Sequence, residues 1–232
     1  MTILAAMQSA AVRLIGKKPV TFFSSQGTFE MEMVELVNDL AHDIAGGHDW
    51  QALTKFATIT GDGTTTSFAK PADFDRMSLD SSVSDLNTWF WNYTNISDLN
   101  DWTQIQNGRY LAIQQGYWII LGDKFQFYPA PSNGRVAKYP YVSKYYARAN
   151  DNSLKEAFTT DSDSFVLDER LLTLGLLWKW REMKKLDTSD EQTAFEFAFS
   201  EAAGRDNGSR VIRKGSRVFG NVPVGWPFEL GH

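Results

Sequence analysis

The sequence contains no cysteine among its 232 residues. Disulfide bonds, thiolate nucleophiles and cysteine-held zinc or iron–sulfur sites are therefore excluded. The absence leaves the redox compartment open but favours the cytosol. Long apolar runs are missing too, because the most apolar segment, Leu167 to Asp187, has a longest charge-free run of eight residues. A membrane-spanning helix needs about twenty apolar residues, so this segment is too short to cross a bilayer.

Sequence motifs that mark common enzymes are also absent. The sequence has no Gly-x-Ser-x-Gly pentapeptide, no phosphate-binding loop and no Gly-x-Gly-x-x-Gly fingerprint. Gly46 and Gly47 separate His42 from His48, so these histidines cannot share a helix face as the two histidines of a zincin do. We therefore expect a protein that is not an enzyme and that holds no metal or cofactor.

Charge is distributed unevenly along the chain. The net charge is −5, and the last 28 residues carry five basic against two acidic side chains, which gives this tail +3 and leaves −8 on residues 1–204. An acidic body is expected to repel nucleic acid. A basic tail is suited to an acidic protein surface or to phosphate groups.

Apolar periodicity predicts four helices. A first amphipathic helix is expected at the N-terminus, because the positive charges follow the apolar run instead of preceding it as in a signal peptide. Helical spacing predicts a second helix over residues 28–45 and a last helix that ends at Gly204. The third helix, residues 164–186, has Leu and Trp almost all round its circumference. We expect it to be buried on several sides, with Asp163 or Ser164 as its cap.

Residues 52–148 alternate apolar and polar residues between turn signals, which is typical of an antiparallel β-region. The alternation on both sides of Gly61, Asp62 and Gly63 predicts a hairpin with an exposed, projecting tip. A short helix capped by Ser97 is expected within this region. The predicted fold is α+β, and it has three parts: a four-helix bundle (residues 1–50 and 155–204), an inserted antiparallel β-region (51–154) and an extended C-terminal arm (205–232).

A combination of acids and aromatic residues suggests a second class of function. Glycosidases combine pairs of carboxyl groups with aromatic platforms. The sequence has four aspartates close to an aromatic run: Asp73, Asp75, Asp80, Asp85, Trp89, Phe90 and Trp91. Such residues are more often turn caps and members of sheet cores. Binding or cleavage of a glycan is therefore kept as the alternative function.

Five sequence segments occur in a characteristic order: HDWQAL, KPADFDR, FYPAPSNG, YVSKYYAR and AFTTDSDSFVLDERLLTLGLLWKWREMKKLD. Together, over residues 28–204, they resemble the head–tail adaptor (head-to-tail connector) proteins of tailed bacteriophages, of the tail tubular protein A type. The segment 81–102 departs from that pattern, because more basic residues are expected there.

The resemblance implies a structural protein of the virion, located at the head–tail interface and made in the cytoplasm of the bacterial host. It implies a ring of roughly twelve copies beneath the portal, joined to a downstream tail or nozzle protein. DNA would pass through the bore without sequence-specific binding, and no membrane would be involved. In this setting the hairpin tip is expected to face a neighbouring subunit or the next tail protein, and the alternative function becomes that of a tail component acting on a host glycan.

The C-terminal arm is basic first and apolar later, whereas a DNA-binding tail is basic throughout. We therefore expect the arm to order on the portal. Its basic side chains would meet acidic groups and its aromatic side chains would fill apolar grooves: Arg205, Arg210, Arg213, Lys214, Arg217, Phe219, Trp226 and Phe228. The alternative is an arm that packs on its own helical bundle.

Overall fold

The computed structural model describes residues 2–79, 81–87, 92–108 and 116–206. Within these ranges it has five helices: α1 (Ile3–Ile15), α2 (Thr28–Gly46), α3 (Leu99–Gln106), α4 (Glu169–Met183) and α5 (Ser189–Asp206). The strands of the same ranges are β1 (Thr54–Thr60), β2 (Ser67–Ala69), β3 (Phe74–Met77), β4 (Val83–Asp85), β5 (Asn92–Asn95), β6 (Tyr117–Leu121), β7 (Lys124–Tyr128), β8 (Val136–Ser143), β9 (Ala147–Arg148), β10 (Leu154–Lys155) and β11 (Ser164–Phe165). No described helix is long and apolar enough to span a membrane.

Helix α4 is the centre of the helical part. Because its apolar residues surround the helix instead of forming one stripe, α1, α2 and α5 can all pack against it. Gly175 allows α2 to approach closely, since a Cβ atom at this position would lie 2.6 Å from both Cδ atoms of Leu40. The buried residues of α4 are Leu171, Leu172, Gly175, Leu176 and Leu177.

Helix α4 begins later than predicted. Its cap is Asp168, whose carboxylate accepts a hydrogen bond from Arg170 N at 2.9 Å. Asp163 accepts hydrogen bonds from two backbone N–H groups of the preceding loop, and Ser164 lies in β11. Both predicted caps are therefore wrong, because each residue is engaged in structure that precedes the helix.

The prediction of a four-helix bundle is wrong, although the fold is mixed α+β as predicted. Three helices surround α4, and the fifth helix, α3, lies on the β-region. There Trp102 and Ile105 pack against Tyr117 and Ile119 of β6. The strands form a nearly closed, barrel-like sheet of eight and not a simple antiparallel insert.

The barrel-like sheet follows the order β1-β8-β4-β5-β6-β7-β2, and β3 also pairs with β8. β1 and β8 are paired along the whole of β1, from Thr54 opposite Val142 to Thr60 opposite Val136. The β5–β6 pair is parallel, while every other described pair in this sheet is antiparallel. The interior is aromatic: Tyr93, Trp118, Phe125, Phe127, Tyr139 and Tyr141.

The predicted hairpin between β1 and β2 does not form. β1 pairs with β8 and β2 pairs with β7, so the two strands lie at opposite ends of the sheet order. The segment between them contacts the segment that joins β7 to β8, where Gly61 N donates to Arg135 O at 2.7 Å and Gly63 N donates to Pro131 O at 2.9 Å. These bonds hold the segment after β1 against the segment before β8.

A second, three-stranded sheet of order β10-β9-β11 belongs to the helical side of the molecule. Ala147 of β9 and Phe165 of β11 are buried in the same apolar core as α1, α2 and α4. The predicted division of the chain into domains at residues 50, 154 and 204 stays a prediction.

Candidate interaction surfaces at the junction of helices and barrel

Three of the sequence segments that carry the resemblance to phage adaptors contact one another where the helices join the barrel. HDWQAL supplies Asp49 and Leu53, KPADFDR supplies Asp73 and Arg76, and YVSKYYAR supplies Ser143. Arg76 donates to Asp49, while Ser143 donates through its side chain to Asp73 and through its backbone N–H to Leu53 O. Segments that are distant in sequence thus form one polar junction.

Arg76 and Asp49 form the first ion pair of this junction. Arg76 Nη2 lies 2.9 Å from Asp49 Oδ1 and also donates to His48 O at 3.1 Å. The other carboxylate oxygen of Asp49 accepts hydrogen bonds from Leu79 N and Ser78 Oγ. Burial raises the pKa of Asp49, but these hydrogen bonds and the guanidinium outweigh burial and lower the pKa below its usual value. The carboxylate is therefore held charged, and it fixes β3 against the end of α2.

Asp73 is the second ionic centre. Its carboxylate accepts hydrogen bonds from Lys55 Nζ at 2.5 Å, Ser143 Oγ at 2.8 Å and Tyr141 OH at 2.9 Å. Burial raises the pKa of Asp73, but the three donors outweigh it and lower the pKa below its usual value. Because Lys55 belongs to β1, and Tyr141 and Ser143 belong to β8, Asp73 ties the turn before β3 to both strands.

An open groove of about 690 Å³ lies beside these ion pairs and is here called the junction groove. Two large apolar side chains line it and remain exposed, Phe56 at 66 % and Leu79 at 83 %. Lys138 Nζ lies 4.5 Å from the centre of the Phe56 ring, which is cation–π geometry. His48, Asp49, Gln51 and Arg76 also line the groove.

Helix α5 ends at the junction groove. Asp206 Oδ2 accepts a hydrogen bond from Gln51 N at 2.7 Å and lies 3.6 Å from His48 Nε2. About two turns earlier, Phe199 packs edge to face on Trp50, with 5.7 Å between the ring centres. Both contacts hold the C-terminal end of α5 against the loop that joins α2 to β1.

The three residues of the predicted tip differ in exposure. Gly61 is buried, and a Cβ atom there would lie 2.4 Å from Pro131 O, whereas Asp62 and Gly63 are exposed. Asp62 accepts hydrogen bonds from the backbone and hydroxyl groups of Thr64 and Thr65, and these bonds lower the pKa of Asp62 well below its usual value. The turn therefore has a fixed shape set by one carboxylate.

Of the predicted portal-docking arm, Arg205 lies within the described residues. It is in α5 and forms an ion pair with Glu201 one turn before it. The other predicted docking residues lie outside the described ranges: Arg210, Arg213, Lys214, Arg217, Phe219, Trp226 and Phe228.

The described aspartates give no support to glycan cleavage. Asp73, Asp75 and Asp85 each contact a cation, namely Lys55, Arg76 and Arg135. A general acid of a glycosidase needs a raised pKa, and that of Asp73 is lowered. Asp80, Trp89, Phe90 and Trp91 lie outside the described residues.

Histidines and carboxylates do not gather into a metal site in the part of the chain that the structure describes. His42 is exposed on α2, while His48 is partly buried and packs edge to face on Trp50 with 4.9 Å between the ring centres.

The sequence pattern of the SU10 adaptor proteins matches this chain over residues 1–218. The chain belongs to the SU10 adaptor protein family. This is a phage head–tail adaptor family, so the resemblance to head–tail adaptors is confirmed, while the tail tubular protein A type is not confirmed. Membership makes this adaptor a phage virion component that interacts with other head or tail proteins. A comparison with curated proteins finds no match.

Sequence reasoning missed the two ion pairs of the junction. Asp49 and Arg76 are 27 residues apart, and Lys55 and Asp73 are 18 apart, so no local spacing rule connects them. Asp49, Asp73 and Arg76 do lie in the sequence segments that carry the resemblance. This is the signal by which they could have been identified as residues of the junction.

Proposed function

We propose that this adaptor forms a ring of roughly twelve copies beneath the portal, joins the head to the tail and lets DNA pass through the bore. The family match over residues 1–218 carries the proposal. The charge of −8 on residues 1–204 supports it, because an acidic wall repels the phosphate backbone and lets DNA slide without sequence-specific binding. The role is structural and not catalytic, and the protein is made in the cytoplasm of the bacterial host before it enters the virion.

The arm, residues 205–232, is the portal-docking element of this proposal. The family match continues beyond α5 to residue 218 and so includes the basic part of the arm. Its basic side chains would meet acidic groups of the portal, and Phe219, Trp226 and Phe228 would supply most of the contact energy. Equivalent arms of one ring bind together, so a weak single contact is enough.

The exposed turn at Asp62 and Gly63 is proposed to contact a neighbouring subunit or the downstream tail or nozzle protein. Its fixed shape supports this role, because a turn that is already ordered loses little conformational entropy when a partner binds. An Asp62→Ala variant removes the hydrogen bonds to Thr64 and Thr65. We expect it to remain folded and to reduce attachment of the next tail protein.

Assembly on isolated portals tests the proposed function. The purified full-length protein is mixed with portal rings, and mass photometry and negative-stain imaging measure the particles. We expect a single added ring on each portal. A protein that stays monomeric in the presence of portals but binds or cleaves a host-surface glycan would contradict the proposal and support the alternative function.

A further inference from the structure

The junction groove combines apolar walls with an open shape. Phe56 and Leu79 are among the most exposed large apolar side chains of the described residues, at 66 % and 83 %. Both line the same groove of about 690 Å³. An isolated exposed apolar side chain needs no explanation, but two that share a concave surface are typical of a binding site.

The position where α5 ends suggests which segment the groove binds. Asp206 is hydrogen-bonded to Gln51 N, and both Gln51 and His48 line the groove. Asp206 therefore lies at its edge, and residues 207–232 follow Asp206 in the sequence. They begin with Asn-Gly-Ser, which is typical of a chain leaving a helix, followed by Arg210, Val211, Ile212 and Arg213.

Chain length is sufficient for this segment to cross the groove. Gln51 and Phe56 are five residues apart, so their Cα atoms are separated by at most about 18 Å. The five residues from Asn207 to Val211 can span the same distance when extended. Val211 and Ile212 are also the first large apolar residues after Asp206.

We propose that residues 207–213 bind in the junction groove of their own subunit, with Val211 and Ile212 against Phe56 and Leu79. The segment anchors the arm, so that the chain from Lys214 onward leaves each subunit from one fixed point. This contact belongs to the single subunit and does not depend on docking to a portal.

Engineered disulfide bonds test the proposal directly, because the chain has no cysteine of its own. The full-length Leu79→Cys/Ile212→Cys variant is oxidised at low protein concentration, and the product is measured on a non-reducing gel and by peptide mass spectrometry. We expect a disulfide within one chain, since a disulfide requires the two Cα atoms to lie within about 7 Å. The Phe56→Cys/Val211→Cys variant tests the second contact in the same way.

The matched control is Leu86→Cys/Ile212→Cys. Leu86 is also exposed, at 56 %, but its N–H donates to Val136 O at the opposite end of β8 from the junction. We expect the Leu79 variant to form the intramolecular disulfide at least about tenfold faster than this control, because binding raises the local concentration of the arm thiol beside the groove. Equal rates, no disulfide with either groove position, or a disulfide that joins two chains would each overturn the proposal.

Discussion

Gly175 of α4 lies directly against Leu40 of α2. A Cβ atom there would meet the end of the Leu40 side chain at 2.6 Å, and Leu40 is itself buried among other core residues. We expect Gly175→Val to destabilise the protein by about 1–3 kcal/mol, because the added carbons force α2 away from α4. Urea unfolding followed by circular dichroism measures the change.

Gly204→Ala is the matched control for this prediction. Gly204 is also helical, but a Cβ atom added there has no neighbour within 4 Å. Alanine favours a helix over glycine by up to about 1 kcal/mol, so we expect this variant to be neutral or slightly more stable. If Gly175→Val proved as stable as Gly204→Ala, the close approach of the two helices would be wrong.

Asp73 stabilises the junction through its charge. We expect Asp73→Asn to lower the free energy of unfolding at pH 7 by about 1.5–3 kcal/mol, since the partly exposed Lys55 loses a charged hydrogen-bond acceptor. The folded-state pKa lies below the unfolded value, so the stabilisation is present above about pH 4 and is lost as the pH falls through the folded pKa. The difference between wild type and variant should therefore shrink in acid.

Thermal unfolding between pH 3 and pH 7 measures this pH dependence. Asp123→Asn serves as the control, because Asp123 is fully exposed and lies 3.9 Å from Lys70, and such a surface pair contributes little to stability. A gap between wild type and Asp73→Asn that stayed constant down to pH 3 would show that the charge of Asp73 is not the source of its effect.

At the scale of elements, the segment after β1 packs tightly against the segment before β8. Gly61 has room only for hydrogen, because Pro131 O and Ser132 O would lie 2.4 and 2.5 Å from a Cβ atom. We expect Gly61→Ala to cost about 1–3 kcal/mol and to speed hydrogen exchange of the Gly61 and Gly63 amides. The exposed neighbour Thr60→Ala should change both quantities little, and similar behaviour of the two variants would argue against this contact.

Helices were more predictable than strand partners. Met33, Val37, Leu40 and Ile44 recur on one face of α2, and the predicted range 28–45 agrees closely with Thr28–Gly46. The partner of β1 could not be predicted in the same way, because alternation identifies a strand but not the strand beside it. β1 pairs with β8, far along the chain, and the hairpin prediction failed for that reason.

The candidate site was predicted less well than the helices. Of the predicted arm only Arg205 is described, and its partner is Glu201 of the same helix. The junction depends on pairs such as Asp49 and Arg76, which only the folded barrel brings together. The open groove beside them had no signal in the sequence, since Phe56 and Leu79 were indistinguishable from core residues until their exposure was known.

At the scale of the whole molecule, the arm should be separable from the fold. We expect a chain that ends at Asp206 to keep the circular dichroism spectrum of its helices and barrel but to lose binding to portals, because the proposed docking residues are removed. The truncation leaves α5 whole, because this helix extends to Asp206. Sedimentation with isolated portals measures the binding, and normal assembly of the shortened chain would show that the arm is not the docking element.

A second variant tests the charge of the arm without changing the length of the arm. Lys214 and Arg217 are replaced by serine, and the control replaces the exposed Lys17 and Lys18 by serine. We expect the arm variant to bind portals more weakly and with less dependence on salt, while the control binds normally. Equal weakening of both variants would indicate a general effect of net charge.

The pairing of β1 with β8 has a mechanical consequence for the protein. The chain enters the barrel at Thr54 and leaves it at Ser143, and these positions lie side by side at one end of the paired strands. Tension between the helices and the barrel therefore acts on the covalent backbone of both strands at the same end. Because the two strands are pulled in the same direction, no hydrogen bond between β1 and β8 has to break. Bending is resisted differently, by the ion pair between Arg76 of β3 and Asp49, which follows α2. We therefore expect the protein to resist pulling along the strands more than tilting, and to tilt more easily in acid, where Asp49 becomes protonated.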